Sequence, residues 1–157
     1  MITRKKILVI LILALLSFED GISMAINDAL DFQDCGSKYD IISLDIANCY
    51  SIPCGVTQGN LIEITYELEK TLTSDTDSVT FEAYWLVSGT QYTAFILPDN
   101  CNLGDCLSIS DNRMQFTVLL YVPEIMPSMS SGSLYWRTMN AQTREMISCS
   151  RVPIYTF

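Results

Sequence analysis

Apolar and polar residues alternate by twos along most of this chain. The clearest stretch sets Ile62, Ile64, Tyr66 and Leu68 against Glu63, Thr65, Glu67 and Glu69. That is the pattern of a strand with one face buried and one face wet. Val79, Phe81, Ala83, Trp85 and Val87 form a second row, and Met114, Phe116, Val118, Leu120 and Val122 a third. Shorter runs lie around Leu30–Asp34, Ile41–Ala47, Tyr92–Leu97, Leu134–Met139 and Met146–Tyr155. Turn chemistry separates them at Thr73–Asp77, Ser88-Gly89, Pro98-Asp99-Asn100, Asp111-Asn112 and Ser130-Ser131-Gly132. Beyond Ala25 no stretch holds the apolar period of a helix. Seven or eight short strands at this spacing predict an all-β fold, an antiparallel two-sheet β-sandwich. With no linker, repeat or low-complexity tract, residues 26–157 are expected to form one domain.

Some rows are more apolar than a one-sided sheet requires. Tyr84 and Leu86 fall opposite Trp85, and Leu119 and Tyr121 oppose Val118 and Leu120. Scattered surface hydrophobes would account for them; so would a sandwich that encloses something. Composition does not choose. A true immunoglobulin domain would place a tryptophan shortly after the first cysteine of an inter-sheet bridge. Trp85 instead follows Cys54 only after the whole Ile62–Leu68 row and the Thr73–Asp77 turn, which disfavours it.

The segment Met1–Ala25 has a different design. Arg4, Lys5 and Lys6 precede the apolar run Ile7–Leu16, and Ser23-Met24-Ala25 offers small residues at a cleavage site. This is the layout of a secretory signal peptide, and the run is shorter than the roughly 20 residues that span a bilayer. Cleavage after Ala25 leaves a mature chain with six basic and sixteen acidic side chains, a net charge of −10. So acidic a surface repels phosphate backbones and anionic lipid, which disfavours nucleic acid and peripheral membrane attachment and favours neutral or hydrophobic ligands; no nucleic-acid partner is expected. The chain has no histidine. It therefore has no Ser/His or Cys/His nucleophile pair and lacks the commonest metal ligand. No phosphate-binding glycine loop or dinucleotide fingerprint is present. The expectation is a protein with no enzymatic activity, no cofactor and no metal. None of the asparagines beyond Ala25 is followed by Ser or Thr two positions on, so glycan-directed lysosomal sorting has no handle. Secretion to the extracellular space is expected instead.

Six cysteines in a secreted chain read as three disulfides. Their spacing is Cys35-x13-Cys49-x4-Cys54-x46-Cys101-x4-Cys106-x42-Cys149. Fifteen pairings are open to six cysteines, and the sequence alone does not settle which forms. Geometry ranks them, because each x4 segment contains turn residues that bring its ends within disulfide reach. Two local clips would leave Cys35 and Cys149 to join the ends of the fold. The rival, a zinc site, is disfavoured by the x4 spacings and the absence of histidine.

Several motifs then resemble a known family. Asp34-Cys35-Gly36-Ser37, Cys49-x4-Cys54 followed by Gly59, Cys101-x4-Cys106 after Pro98-Asp99, and Cys149-x2-Val152-Pro153-Ile154 resemble the ML lipid-recognition domain. The branch they resemble is that of the Niemann–Pick type C-two proteins, with the group-two mite allergens and arthropod chemosensory carriers beside it. The likeness runs from about Leu30 to Phe157. It implies an immunoglobulin-like sandwich whose sheets splay to hold one hydrophobic ligand in an apolar tunnel. It also implies the pairing Cys35–Cys149, Cys49–Cys54 and Cys101–Cys106. Sterol-binding members of the family place a phenylalanine before the second x4 pair, and a valine and a Tyr-Pro in the loop after the following strand. Phe95 matches the phenylalanine at a shorter distance from Cys101. Met126-Pro127 stands where Tyr-Pro would be, and Ile125 near the valine, in a shortened loop.

The candidate lipid-binding residues are thus Phe81, Trp85, Phe95, Phe116, Val118, Leu120 and Trp136 for the tunnel, with Ile125 and Met126 beside Phe95 at its entrance. Ordinary core packing is the alternative for each. Met126 and Met129, with Ile125 in a Pro123/Pro127-bracketed loop, suggest a pliable threshold. The resulting expectation is a monomeric secreted carrier for a hydrophobic small molecule, with a membrane receptor as a candidate second partner. A fatty acid or semiochemical is favoured over a sterol, because a thioether replaces the tyrosine. The alternatives are an endolysosomal sterol-transfer protein, or an immune accessory protein recognising microbial glycolipid; the latter needs a basic rim that six basic residues scarcely supply.

Overall fold

A computed structural model describes residues 30–69 and 78–157. The expected leader and the Thr73–Asp77 turn lie outside the described residues.

Every regular element among the described residues is a strand. In chain order they are β1 (Gln33–Asp34), β2 (Ile41–Ile46), β3 (Cys54–Val56), β4 (Leu61–Glu69), β5 (Ser78–Val87) and β6 (Thr90–Thr93). Then come β7 (Phe95–Leu97), β8 (Asn100–Asn102), β9 (Leu107–Ser110), β10 (Arg113–Tyr121), β11 (Ser130–Asn140) and β12 (Met146–Thr156). The first sheet runs β1-β12-β11-β5-β6, with β3 added parallel to β12 and β8 added to β5. The second runs β2-β4-β10-β7, with β9 added to β10. The fold is the expected two-sheet sandwich.

The three long apolar rows occupy the three strands expected of them. Along β10 burial alternates strictly, with Met114, Phe116, Val118 and Leu120 inside and Gln115, Thr117 and Leu119 outside. Two hairpin turns also fall as the sequence implies. Ser88-Gly89 joins β5 to β6 and Asp111-Asn112 joins β9 to β10, with all four residues at positive φ, the conformation such two-residue connections require.

Two expectations change. The run Tyr92–Leu97 is not one strand: its first half belongs to β6 in the first sheet and its second half to β7 in the second. Ser130-Ser131-Gly132 is not a turn but the start of β11, paired with Thr156, Tyr155 and Ile154. Gly132 serves close approach there. A Cβ on it would stand 2.5 Å from the Leu86 carbonyl oxygen and 2.8 Å from a Val87 methyl carbon. The split of Tyr92–Leu97, together with the short strands β3, β8 and β9 that no apolar row marked, raises the number of strands above the seven or eight expected.

Between the sheets the core is aromatic at its centre. Tyr66 and Phe116 from the second sheet stack at 5.3 Å with 4° between ring planes. Phe81 of the first sheet lies 4.8 Å from Phe116 and 5.3 Å from Trp136. These rings join the two layers, and Leu134, Val152, Ile154, Ile64 and Leu120 extend the core around them. The disulfides are Cys35–Cys149, Cys49–Cys54 and Cys101–Cys106, with Cα separations of 5.0, 5.1 and 5.3 Å. The first ties β1 to β12; the third spans the step from β8 in one sheet to β9 in the other.

Candidate functional site

One edge of β5 is bound along its length by β11, in register from Val79↔Asn140 to Val87↔Gly132. The opposite edge is divided. β6 pairs with Tyr84–Val87, and β8 with Ser78–Thr80. Between these segments the chain leaves the sheet as β7 to pair with β10, then returns. Only two backbone bonds bridge the interval: Ala94 N–H to the Ala83 carbonyl at 3.1 Å and Phe81 N–H to the Asp99 carbonyl at 3.2 Å.

A cleft of about 550 Å³ occupies this split. Phe81 and Ala83 of β5, with Ala94 and Ile96 of the crossing segment, line it. All four belong to the core cluster and are 7–8% exposed, whereas most of that cluster is more deeply buried. The interior of the sandwich thus reaches the surface here. Small side chains at Ala83 and Ala94 leave the room. Phe95, Leu97, Pro98 and Asp99 complete the lining, with Glu82 and Thr93. Glu82 is held by Arg144 at 3.2 Å, an exposed ion pair at the cleft's edge.

The expected site residues separate into three groups. Phe81 and Phe95 line the same cleft. Phe95 is 65% exposed because β7 turns it outward while Ile96 points in. Its ring lies 6.4 Å from Tyr121, whose phenol is pushed up by desolvation and by neighbouring Glu124. Trp85, Phe116, Val118, Leu120 and Trp136 are buried in the core and do not line the cleft. Ile125 and Met126 do not line it either. Ile125 is 80% exposed, whereas Met126 is 3% exposed and packs into the core. The Met126 backbone is pinned, its N–H to the Pro123 carbonyl at 3.3 Å and its carbonyl to Gln58 Nε2 at 3.0 Å. Of the apolar residues in the expected threshold, Ile125 and Met129 are exposed and Met126 is buried.

The surplus apolar residues of the sequence lie on outer faces. Leu119 and Tyr121 stand in register with Leu97 and Phe95 on one side, and Tyr121 with Leu61 on the other. They form an exposed apolar strip beside the cleft. Tyr84 stacks on Tyr135 at 4.7 Å on the outside of the first sheet.

Sequence reasoning missed Ala83, Ala94 and Ile96 as lining residues. The available signal was small residues interrupting rows of large ones. It also missed an internal polar group. Tyr66 Oη, Ser148 Oγ and Ser150 Oγ are buried, and none makes a well-formed hydrogen bond. Burial pushes the Tyr66 phenol up to about 12, against a smaller opposing influence of the Ser150 and Ser148 hydroxyls. The three hydroxyls are therefore in loose hydrogen-bonding contact, with no bond of good geometry among them. A buried hydroxyl left so costs about 1–3 kcal/mol. The signal here was Ser148-x-Ser150, two polar side chains at alternate positions on the inner face of a strand that continues with Val152 and Ile154.

No protein-family model and no curated protein matches the chain. Among solved structures, a Niemann-Pick type C2 protein from the Japanese carpenter ant superposes with a TM-score of 0.59 at 18% sequence identity. The match covers 82% of this chain and 100% of the ant chain. A Pseudomonas fluorescens alkylpurine DNA glycosylase, AlkC, bound to DNA containing an abasic site analog, aligns over 76% of this chain and 31% of that one. At 10% identity and a TM-score of 0.39 it bears on neither fold nor function. The described chain thus shares its overall fold, the open two-sheet sandwich, with the ant Niemann-Pick type C2 protein.

Proposed function

We propose that this protein is a secreted, non-enzymatic carrier that takes one hydrophobic small molecule between its two sheets through the cleft at the split edge of β5. The observation that carries this reading is the place where the core reaches the surface, at Phe81, Ala83, Ala94 and Ile96. Each methylene moved from water into such a site contributes roughly 0.8 kcal/mol. An acyl chain, a semiochemical or a sterol therefore needs no charged anchor. The work done is shielding: the ligand leaves water, crosses an aqueous compartment inside the protein, and is released at a membrane or receptor. Three disulfides suit an oxidising compartment, and the ML-domain resemblance supports the same role. The buried Trp85, Phe116, Val118, Leu120 and Trp136 become tunnel walls when the sheets part around a ligand.

Mass spectrometry of organic extracts from the purified protein tests for a resident lipid. The matching functional test is a fluorescent fatty-acid displacement titration on wild type and Phe95→Asp, with circular dichroism as folding control. A carboxylate at the cleft rim must be desolvated when a ligand covers it, at a cost on the order of several kcal/mol. Binding should weaken about tenfold or more while the strands persist. A folded variant that binds as tightly as wild type would remove Phe95 from the path.

A further inference from the structure

We infer that the interior of the sandwich holds a recognition point for an uncharged hydroxyl group, formed by Tyr66, Ser148 and Ser150, and that the cargo is a lipid alcohol. This deepens the carrier reading and rests on it.

The three side chains face each other across the layers, Tyr66 from β4 in the second sheet and the two serines from β12 in the first. All three residues are fully buried. Buried polar atoms without a proper partner are uncommon, and each one calls for an explanation. The neighbouring polar pair shows the contrast: Trp136 Nε1 donates to Thr138 Oγ1 at 3.1 Å and is settled. Those two residues stand in register with Ser150 and Ser148. The hydroxyl trio is thus the unsettled half of one polar row.

Its chemistry selects the ligand. Each member is a hydroxyl rotor that both donates and accepts, and its natural complement is another hydroxyl. A carboxylate does not suit, because every Lys and Arg among the described residues is exposed and no counter-charge reaches the interior. An ammonium group is disfavoured for the converse reason, since no Asp or Glu among the described residues is buried.

The trio is also held in place. Cys149, between the two serines, is bonded to Cys35. Its carbonyl accepts from Cys35 N–H at 3.0 Å, and its own N–H donates to Ser37 Oγ at 2.9 Å. One layer of rings separates the trio from the cleft. Phe81, which lines the cleft, contacts Phe116 and Trp136, and both of those contact Tyr66. A chain that displaces the Phe81 ring brings its leading hydroxyl to Tyr66.

The test is displacement of N-phenyl-1-naphthylamine from the full disulfide-bonded protein by tetradecan-1-ol, tetradecane and tetradecanoic acid. Wild type should prefer the alcohol over the alkane by about tenfold, the scale of one net hydrogen bond. Tyr66→Phe, and separately Ser148→Ala with Ser150→Ala, should erase that preference, bringing the alcohol-to-alkane affinity ratio within each variant to about one. Equal affinity of wild type for alcohol and alkane would overturn the inference while sparing the carrier reading. So would variants that keep the preference, or tighter binding of the acid than the alcohol. In the equal-affinity case the trio serves only the fold. If neither the probe nor any of the three chains binds, the carrier reading falls, and this inference with it.

Discussion

The two edges of β5 carry the same alternating residues and meet very different fates. On one side β11 runs beside β5 without interruption from Val79 to Val87. On the other the chain pairs, departs to the second sheet, and comes back. A continuous ladder seals the core behind it. A divided ladder leaves the interval from Phe81 to Ala83, over which small side chains and a crossing strand let the core reach the surface. The difference does not lie in β5. It lies in what each neighbour must do elsewhere: β11 belongs wholly to the first sheet, whereas the β6–β9 segment serves both. Access to the interior is obtained where the chain is shared between layers.

The sealed side should be the costlier one to damage. Replacing Cys35 and Cys149 together by alanine removes a tie across a sequence separation of 114. In the chain-entropy model this should cost about 5 kcal/mol, read from the denaturation midpoint in guanidinium. Survival of the fold with a shift under about 1 kcal/mol, far below that model's value, would show that the β1–β12 edge needs no tie.

Trp136→Ala should come next, at about 3–5 kcal/mol, because it opens a cavity among Tyr66, Phe81 and Phe116 on the sealed side. Thermal unfolding followed by circular dichroism checks it. A small loss would indicate that the rings already pack loosely.

Alkaline pH probes the same cluster. Tyr66 has a folded value of about 12 against 10.0 for the free side chain. Because the folded value is raised, its contribution is fully present below pH 10 and is lost as pH rises from 10 toward 12. Stability should fall by roughly 2–3 kcal/mol across that window. Tyr66→Phe should lose that component of the pH dependence, which parallel denaturant titrations at several alkaline pH values would reveal.

The smallest stability effect is expected on the divided side. The Cys101–Cys106 clip closes a sequence separation of only 5, so its removal should cost about 2 kcal/mol. Its larger consequence should be on binding, since it fixes the chain where it steps from β8 to β9 beside the cleft. Displacement titration of the Cys101→Ala/Cys106→Ala variant should show weakened affinity at temperatures where the fold is intact. An unchanged affinity would place the control of the cleft in β7 alone.

What could be read in the residues, and what could not, follows the same division. Alternation is a local property: a residue two positions on returns to the same face, whatever the strand pairs with. So Ile64, Tyr66 and Leu68, Phe81 and Trp85, and Phe116 and Leu120 were legible as inward positions, and Asp111-Asn112 as a hairpin turn. The two x4 cysteine pairs were legible for the same reason, because a short loop closes on itself. Tertiary structure alone decided which sheet each edge joins. It cut Tyr92–Leu97 between two layers, turned Phe95 outward and put the cleft beneath it. It recruited Ser130–Gly132 into β11 because Gly132 must lie against the Leu86 backbone. It buried Met126 while leaving Ile125 in water, and brought Ser148 and Ser150 under a tyrosine from a strand far earlier in the chain. Strand-to-strand choice depends on the shape and hydrogen-bonding needs of partners distant in sequence, and no local period records it.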